Sequence, residues 1–164
     1  MPADSERAYV VGLKLLGTRE LTEAQLRERL TRRHFQPDEV DAAIARLRTE
    51  RALDDARTAG AYARTEANLY GRGRFRVLRR LQSMGVASEV AREAVGEAFQ
   101  DLNDTERIEL ALAKRLRQGE TLDDPRVAGR IHRYLLSQGF GAGDVIAVLR
   151  RRRRTVSEID ADEL

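Results

Sequence analysis

Five apolar positions, Leu26, Leu30, Phe35, Val40 and Ile44, follow one another at spacings of 4, 5, 5 and 4 residues. The same spacings recur at Val77, Leu81, Val86, Ala91 and Val95, and again at Ile131, Leu135, Phe140, Val145 and Leu149, displaced by 51 and then by 54 residues. In each set the first two and the last two positions are one helical turn apart, and the middle one follows a break. The pattern predicts helix, tight turn, helix, three times over.

The residues at the breaks support this. Gly85 and Gly139 stand immediately before Val86 and Phe140, where a left-handed residue closes a helix and lets the next apolar side chain pack back. His34 holds the matching place in the first set. Helix starts are expected at Thr22 with Gln25 as a capping box, at Pro37 in a first helical position, at Ser88 as an N-cap, and at Asp144 after Gly143 as another. A further helical stretch precedes each pair: Ala8 to Leu16, Asp55 to Asn68, and Glu106 to Leu116, the last with Ile108, Leu112 and Leu116 a turn apart. No alternation at period two is sustained over a strand length.

The expected fold is therefore all-α, three tandem three-helix repeats of the helix-turn-helix type. Repeat 1 spans residues 1–51, with 1–5 as a loose tail, repeat 2 spans 52–102, and repeat 3 spans 103–154. Residues 155–164, carrying Glu158, Asp160, Asp162 and Glu163 and no basic residue, are expected to form an acidic, disordered tail. Units of about 50 residues bury too little surface alone and stack on neighbours, which predicts an elongated, curved rod.

Composition narrows the function. Hydrophobic residues make up 41% of the chain but aromatics only 5%, as expected of aliphatic helix packing, and 35% charged residues keep much of every helix in water. No apolar run is long enough for a bilayer, the start Met1-Pro2-Ala3-Asp4-Ser5-Glu6 lacks the features of a secretory signal, and there is no cysteine. These features predict a cytoplasmic protein without membrane partner. The net charge is only +3, so attraction to an anionic partner must come from clustering.

Catalytic or metal chemistry finds little support. The two histidines, His34 and His132, lie 98 residues apart and no HExxH or CxxC occurs, so no cofactor and no metal site are expected. Asp54-Asp55 and Asp123-Asp124 each sit in a repeated Leu-Asp-Asp-x-Arg string, which invites an acid/base or cation-binding reading. Both pairs precede a helix start, and capping of free N–H groups is the simpler role. Gly71-Arg72-Gly73 lacks the spacing of a phosphate-binding loop and follows no strand; it is expected to lead flexibly into the next helix, with close approach to a partner as the second possibility.

Arginine is the informative residue. Between Ala67 and Ser88 there is no acidic residue, while Arg72, Arg74, Arg76, Arg79 and Arg80 fall there with Tyr70 and Phe75. The 54-residue offset carries Arg72, Arg76 and Arg79 onto Arg126, Arg130 and Arg133, and a spacing of i, i+4, i+7 predicts one basic helical face in each repeat. Repeat 1 has Leu21, Gln25 and Glu28 there instead. Arg150, Arg151, Arg152, Arg153 and Arg154 form a basic collar near the end of the last helix, able to hold phosphates, an acidic partner or the chain's own acidic tail. These thirteen arginines are the expected partner- or DNA-binding residues, against the plainer alternative of an ordinary solvated face neutralised by acids such as Glu89, Glu93 and Glu97.

Leu53-Asp54-Asp55-Ala56-Arg57, Tyr62, Gly71-Arg72-Gly73-Arg74-Phe75-Arg76-Val77, Leu81 and Met84-Gly85-Val86 together resemble the RecX family. So do Arg19-Glu20-Leu21-Thr22 in the first repeat and Leu135-Leu136-Ser137-Gln138-Gly139-Phe140 in the third, and the similarity covers roughly residues 8–150. The resemblance implies a monomeric, non-enzymatic inhibitor that binds the RecA recombinase filament and damps ATP hydrolysis, filament growth and strand exchange. It implies roles in DNA repair, DNA recombination and the SOS response, needs no cofactor, and allows weak, sequence-independent binding to single- and double-stranded DNA. The alternative from another class is a helix-turn-helix transcriptional regulator reading duplex DNA. A plain protein-interaction scaffold is a third, distinguished by salt-insensitive binding.

Overall fold

The computed structural model describes the backbone of residues 2–162 and the side chains of residues 5–154. Among these described residues there are nine α-helices and no strand. They are α1 (Pro2–Thr18), α2 (Glu23–Thr31), α3 (Pro37–Thr49), α4 (Asp55–Asn68), α5 (Arg74–Ser83), α6 (Ser88–Ala98), α7 (Asp104–Arg115), α8 (Pro125–Ser137) and α9 (Ala142–Asp162). Fourteen of the fifteen repeated apolar positions are buried, and Phe35 is partly buried against the first core. Burial of each such aliphatic side chain contributes roughly 1.5–3 kcal/mol, which makes the repeated spacing the main determinant of the fold.

The three breaks are closed in the same way. His34 (φ 65°), Gly85 (φ 83°) and Gly139 (φ 92°) are left-handed. After each, the N–H of the next apolar residue reaches back to the carbonyl of the last core residue of the preceding helix: Phe35 to Leu30 at 3.4 Å, Val86 to Leu81 at 3.1 Å and Phe140 to Leu135 at 3.4 Å. This is the Schellman arrangement, and the bond also points the apolar side chain inward. His34 adopts it at the steric cost a Cβ carries in that region.

Helix starts agree in part. Thr22 and Gln25 form the capping box, and Pro37 opens α3. Ser88 and Asp144 are not N-caps: Ala87 and Gly141 supply the first accepting carbonyls, so Ser88 lies in the first turn of α6 and Asp144 in that of α9. The backbone is helical from Pro2, where the missing N–H of proline is no loss, and α9 runs on through Asp162 because neither glycine nor proline follows Gly143.

The chain gathers into two compact units, one made of the residues through Ala63 with Leu78–Ala98, the other of Arg64–Val77 with the residues from Phe99 onward. In the first, α1, α2 and α3 pack on one another around Ala8, Leu21, Leu26, Leu30, Val40 and Leu47. The buried Thr22 hydroxyl donates to the Met84 carbonyl at 2.6 Å, and a Cβ on Gly85 would come within 2.3 Å of that of Ala24. The turn before α6 therefore seats on the start of α2.

In the second unit α7, α8 and α9 pack around Ile108, Leu112, Ile131, Leu135, Val145 and Val148. The same seating recurs, more tightly. The Gly73 and Phe75 N–H groups donate to the Gln138 and Gly139 carbonyls at 2.8 and 3.1 Å. A Cβ on Gly73 would lie 2.2 Å from the Gly139 carbonyl carbon, and one on Gly139 would lie 2.4 Å from the Arg76 backbone nitrogen. Gly73 thus serves a close approach within the chain itself, where the N–H groups that start α5 take carbonyls from the end of α8.

Candidate binding surface

Three of the four paired carboxylates cap helix starts, and the fourth, Asp123, accepts from the Thr121 hydroxyl. Asp54 Oδ1 accepts from the Arg57 N–H at 2.9 Å and Asp124 Oδ1 from the Arg126 N–H at 2.8 Å, at the starts of α4 and α8. Asp55 turns to a neighbouring helix and accepts from the Glu23 N–H at 2.8 Å, at the start of α2. Burial raises its carboxyl above the ordinary value, and the Glu23 N–H acts against that shift. Asp124→Ala is expected to cost about 1 kcal/mol in thermal unfolding, with Asp124→Asn near wild type; equal losses would remove the cap. Among the described residues no group of three or more His, Cys, Asp or Glu could hold a metal ion, and no helix is long and apolar enough to cross a membrane.

The thirteen arginines divide by what they touch. Arg72 lies before α5, not on it, because the chain turns at Gly71 (φ 63°), and it donates to the Gln138 side chain. The expected Arg72, Arg76, Arg79 face is therefore not a single helical stripe. Arg74 pairs with Asp104 at 3.3 Å and lies over the Phe99 ring, and Arg76 donates to the Ser137 carbonyl at 3.2 Å. Arg130 pairs with Glu120 at 2.5 Å. The Arg117 N–H, with that pair, holds the Glu120 carboxyl below the ordinary range.

In the collar, Arg151 and Arg152 grip Glu109 of α7 at 2.8 and 2.6 Å, and Arg153 donates to the Leu122 carbonyl at 2.8 Å. Burial pushes the Glu109 carboxyl up, but the hydrogen bonds from Arg151 and Arg152 outweigh it and its pKa falls. Pairing with the acidic tail concerns side chains that lie outside the described residues. Seven of the thirteen arginines thus hold the fold in part. The other six, Arg79, Arg80, Arg126, Arg133, Arg150 and Arg154, are exposed, and their guanidinium groups make no hydrogen bond or ion pair among the described residues.

Arg126, Arg130 and Arg133 do share α8 at the expected spacing. Beside them a groove runs between α8 and α9, lined by Ala128, Gly129, the half-buried His132, Ile146 and Leu149, with Arg150 and Arg153 on its edge and no carboxylate among the described residues. The Arg133 guanidinium folds over Gly129, 3.5 Å from where a Cβ would stand. Small residues at 128 and 129 keep the groove open, and α8 is left presenting cations to solvent.

Sequence reasoning missed Arg107, whose guanidinium reaches the Ala67 and Arg72 carbonyls at 3.0 and 2.7 Å. Its spacing of three residues from Asp104 was the available signal, and it was an ordinary one. Leu110 was also missed, although it stands off the Ile108, Leu112 spacing and so had to face away from the core.

The fold is that of an all-α protein of three-helix groups, with exposed arginines on α8 and α9. Residues 8–47 match the first three-helix domain of RecX and residues 54–95 the second. The regulatory protein RecX of Chromohalobacter salexigens is 35% identical over 130 residues, covering 78% of this chain and 81% of that one. A counterpart in Thermus thermophilus is 35% identical over 136 residues (83% and 85%), and that of Haemophilus influenzae strain PittGG 30% over 138 residues (83% and 88%). The crystal structure of RecX from Lactobacillus salivarius shares the fold at a TM-score of 0.75 and 20% identity, over 93% of this chain and 99% of that one. The chain belongs to the RecX family of regulatory proteins.

Proposed function

We propose that this protein acts as a monomer in the cytoplasm, binding the RecA recombinase and its filament on DNA and restraining ATP hydrolysis, filament growth and strand exchange. The observation that carries the reading is the set of exposed arginines on α8 and α9 whose guanidinium groups have no partner among the described residues, beside a groove with no carboxylate among its described lining, in a chain of the RecX family. Such a surface attracts acidic protein or phosphate without reading bases, so binding weakens as salt rises. The regulation needs no covalent step and no cofactor, since occupying the filament suffices.

The test adds the purified protein to RecA on single-stranded DNA and follows ATP hydrolysis and filament length; no effect at stoichiometric protein ends the reading. Arg126→Glu, Arg133→Glu and Arg150→Glu together are expected to raise the concentration for half-inhibition about tenfold and to reduce the salt slope of DNA binding by roughly 2–3. The same reversal at the exposed Arg19, Arg64 and Arg92 is expected to change little. Equal behaviour of the two triples would take the α8 face out of the interface, and saturable binding to one duplex sequence would favour the transcriptional-regulator alternative instead.

A further inference from the structure

Away from the arginine groove, the end of α4, the segment Leu69–Arg72, α7 and α8 enclose a cleft of about 370 Å³. Three large apolar side chains stand in water there: Leu69 is 72% exposed, Leu110 62% and Tyr70 59%. None is needed by the core, since α7 packs through Ile108 and Leu112 and the chain at 69–70 has already left α4. Isolated exposed apolar residues are ordinary, but three lining one concavity mark a binding site.

The polar lining is of one sign. Arg72, Arg107 and Lys114 contribute three cations, and no carboxylate lines the cleft among the described residues. Arg107 is fixed by two carbonyls and Asp104, and Arg72 by Gln138, so both give a standing positive field without a free donor fork. Lys114 has no partner among the described residues and can reach an incoming anion. At the cleft wall Arg115 lies 5.2 Å from the centre of the Tyr134 ring and stiffens it.

We propose that this cleft docks an acidic segment of a partner protein that inserts a large apolar side chain between Leu69, Tyr70 and Leu110 and sets a carboxylate on Lys114. A single nucleic-acid strand is the poorer occupant. It would need a track of free cations for successive phosphates, and of the three described cations lining the cleft Arg72 and Arg107 are held and Lys114 alone is free, while Leu69 and Leu110 offer aliphatic surface, not a stacking platform. The inference stands apart from the RecA reading and does not use the α8 and α9 arginines.

The experiment selects a displayed random peptide library on the full-length protein, then measures the enriched peptides and a 20-nucleotide oligothymidylate by fluorescence anisotropy. The variants are Leu110→Ser, Tyr70→Ser and Lys114→Glu, all at exposed positions, with circular dichroism to verify folding. Enriched peptides combining acidic residues with leucine, isoleucine or phenylalanine, and bound at least tenfold more weakly by Leu110→Ser and by Lys114→Glu with oligothymidylate binding unchanged, are the expected result. The proposal is overturned by enrichment of no acidic-apolar peptide, by peptides indifferent to these substitutions, or by loss of oligothymidylate binding in the same variants.

Discussion

Replacing Gly139 with alanine is expected to lower the stability of the folded chain by on the order of 4 kcal/mol. Two effects add. The residue sits at φ 92°, where a side chain strains the backbone, and its Cβ would fall 2.4 Å from both the Cβ and the nitrogen of Arg76 and 2.8 Å from the Gly73 carbonyl oxygen. Most of these are main-chain atoms that cannot swing aside, so α5 and α8 must part and the hydrogen bonds from Gly73 and Phe75 weaken. In a chain of this size each kcal/mol moves the thermal midpoint by roughly 2–4 °C, so a fall of roughly 10 °C is the reading in calorimetry. Gly71→Ala shares a positive φ but has nothing within 4 Å, and should cost only about 1 kcal/mol. Gly143→Ala, in the first turn of α9 and also in open space, should be neutral or stabilising by up to about 1 kcal/mol. Equal midpoints for Gly139→Ala and Gly71→Ala would show that the close approach contributes nothing.

Arg107→Met is expected to cost about 3 kcal/mol in urea unfolding. The side chain is only 12% exposed, and it joins the Ala67 and Arg72 carbonyls and the Asp104 carboxylate while its plane faces Phe99 at 4.9 Å and Phe140 at 5.7 Å. Burial lowers the pKa of the guanidinium and Asp104 opposes the shift, so the charge is kept at the expense of hydration. Methionine fills the space between the rings but leaves two carbonyls unmet and the Asp104 carboxylate with Arg74 alone. Arg107→Lys keeps the charge with one point donor in place of a planar fork, and should recover less than half of the loss. If methionine matches arginine in the unfolding midpoint, the network is replaceable packing.

What the sequence made legible followed from periodicity. Leu26, Ile131 and their fellows announced the core because burial acts at every repeat, and Gly85 and Gly139 announced the turns because few other residues tolerate a left-handed backbone. Even His34 fell to that rule. What stayed hidden depended on partners far along the chain. Arg72 and Arg79 look equivalent in sequence, yet Arg72 meets Gln138 and Arg79 meets water, and nothing in the local pattern separates them. The collar is similar: five adjacent arginines are alike until Glu109, 42 residues before Arg151, engages two of them. Spacing therefore located α8 as a basic face but overstated the arginines available to a ligand.

The seating of later turns on earlier helix starts has a consequence for how the protein is made. Thr22 caps α2 while its hydroxyl awaits Met84, 62 residues downstream, and the Arg72–Gly73 lead into α5 awaits Gln138, 66 residues after Arg72. During synthesis each of these helix starts leaves the ribosome before the carbonyl that completes it exists. At ordinary translation rates of roughly 5–20 residues per second, the gap is several seconds in which these hydrogen bonds are unmade. A nascent chain that has not yet reached Gln138 has α5 but lacks the acceptors for the Gly73 and Phe75 N–H groups, and so exposes that end to proteases until the last helices arrive.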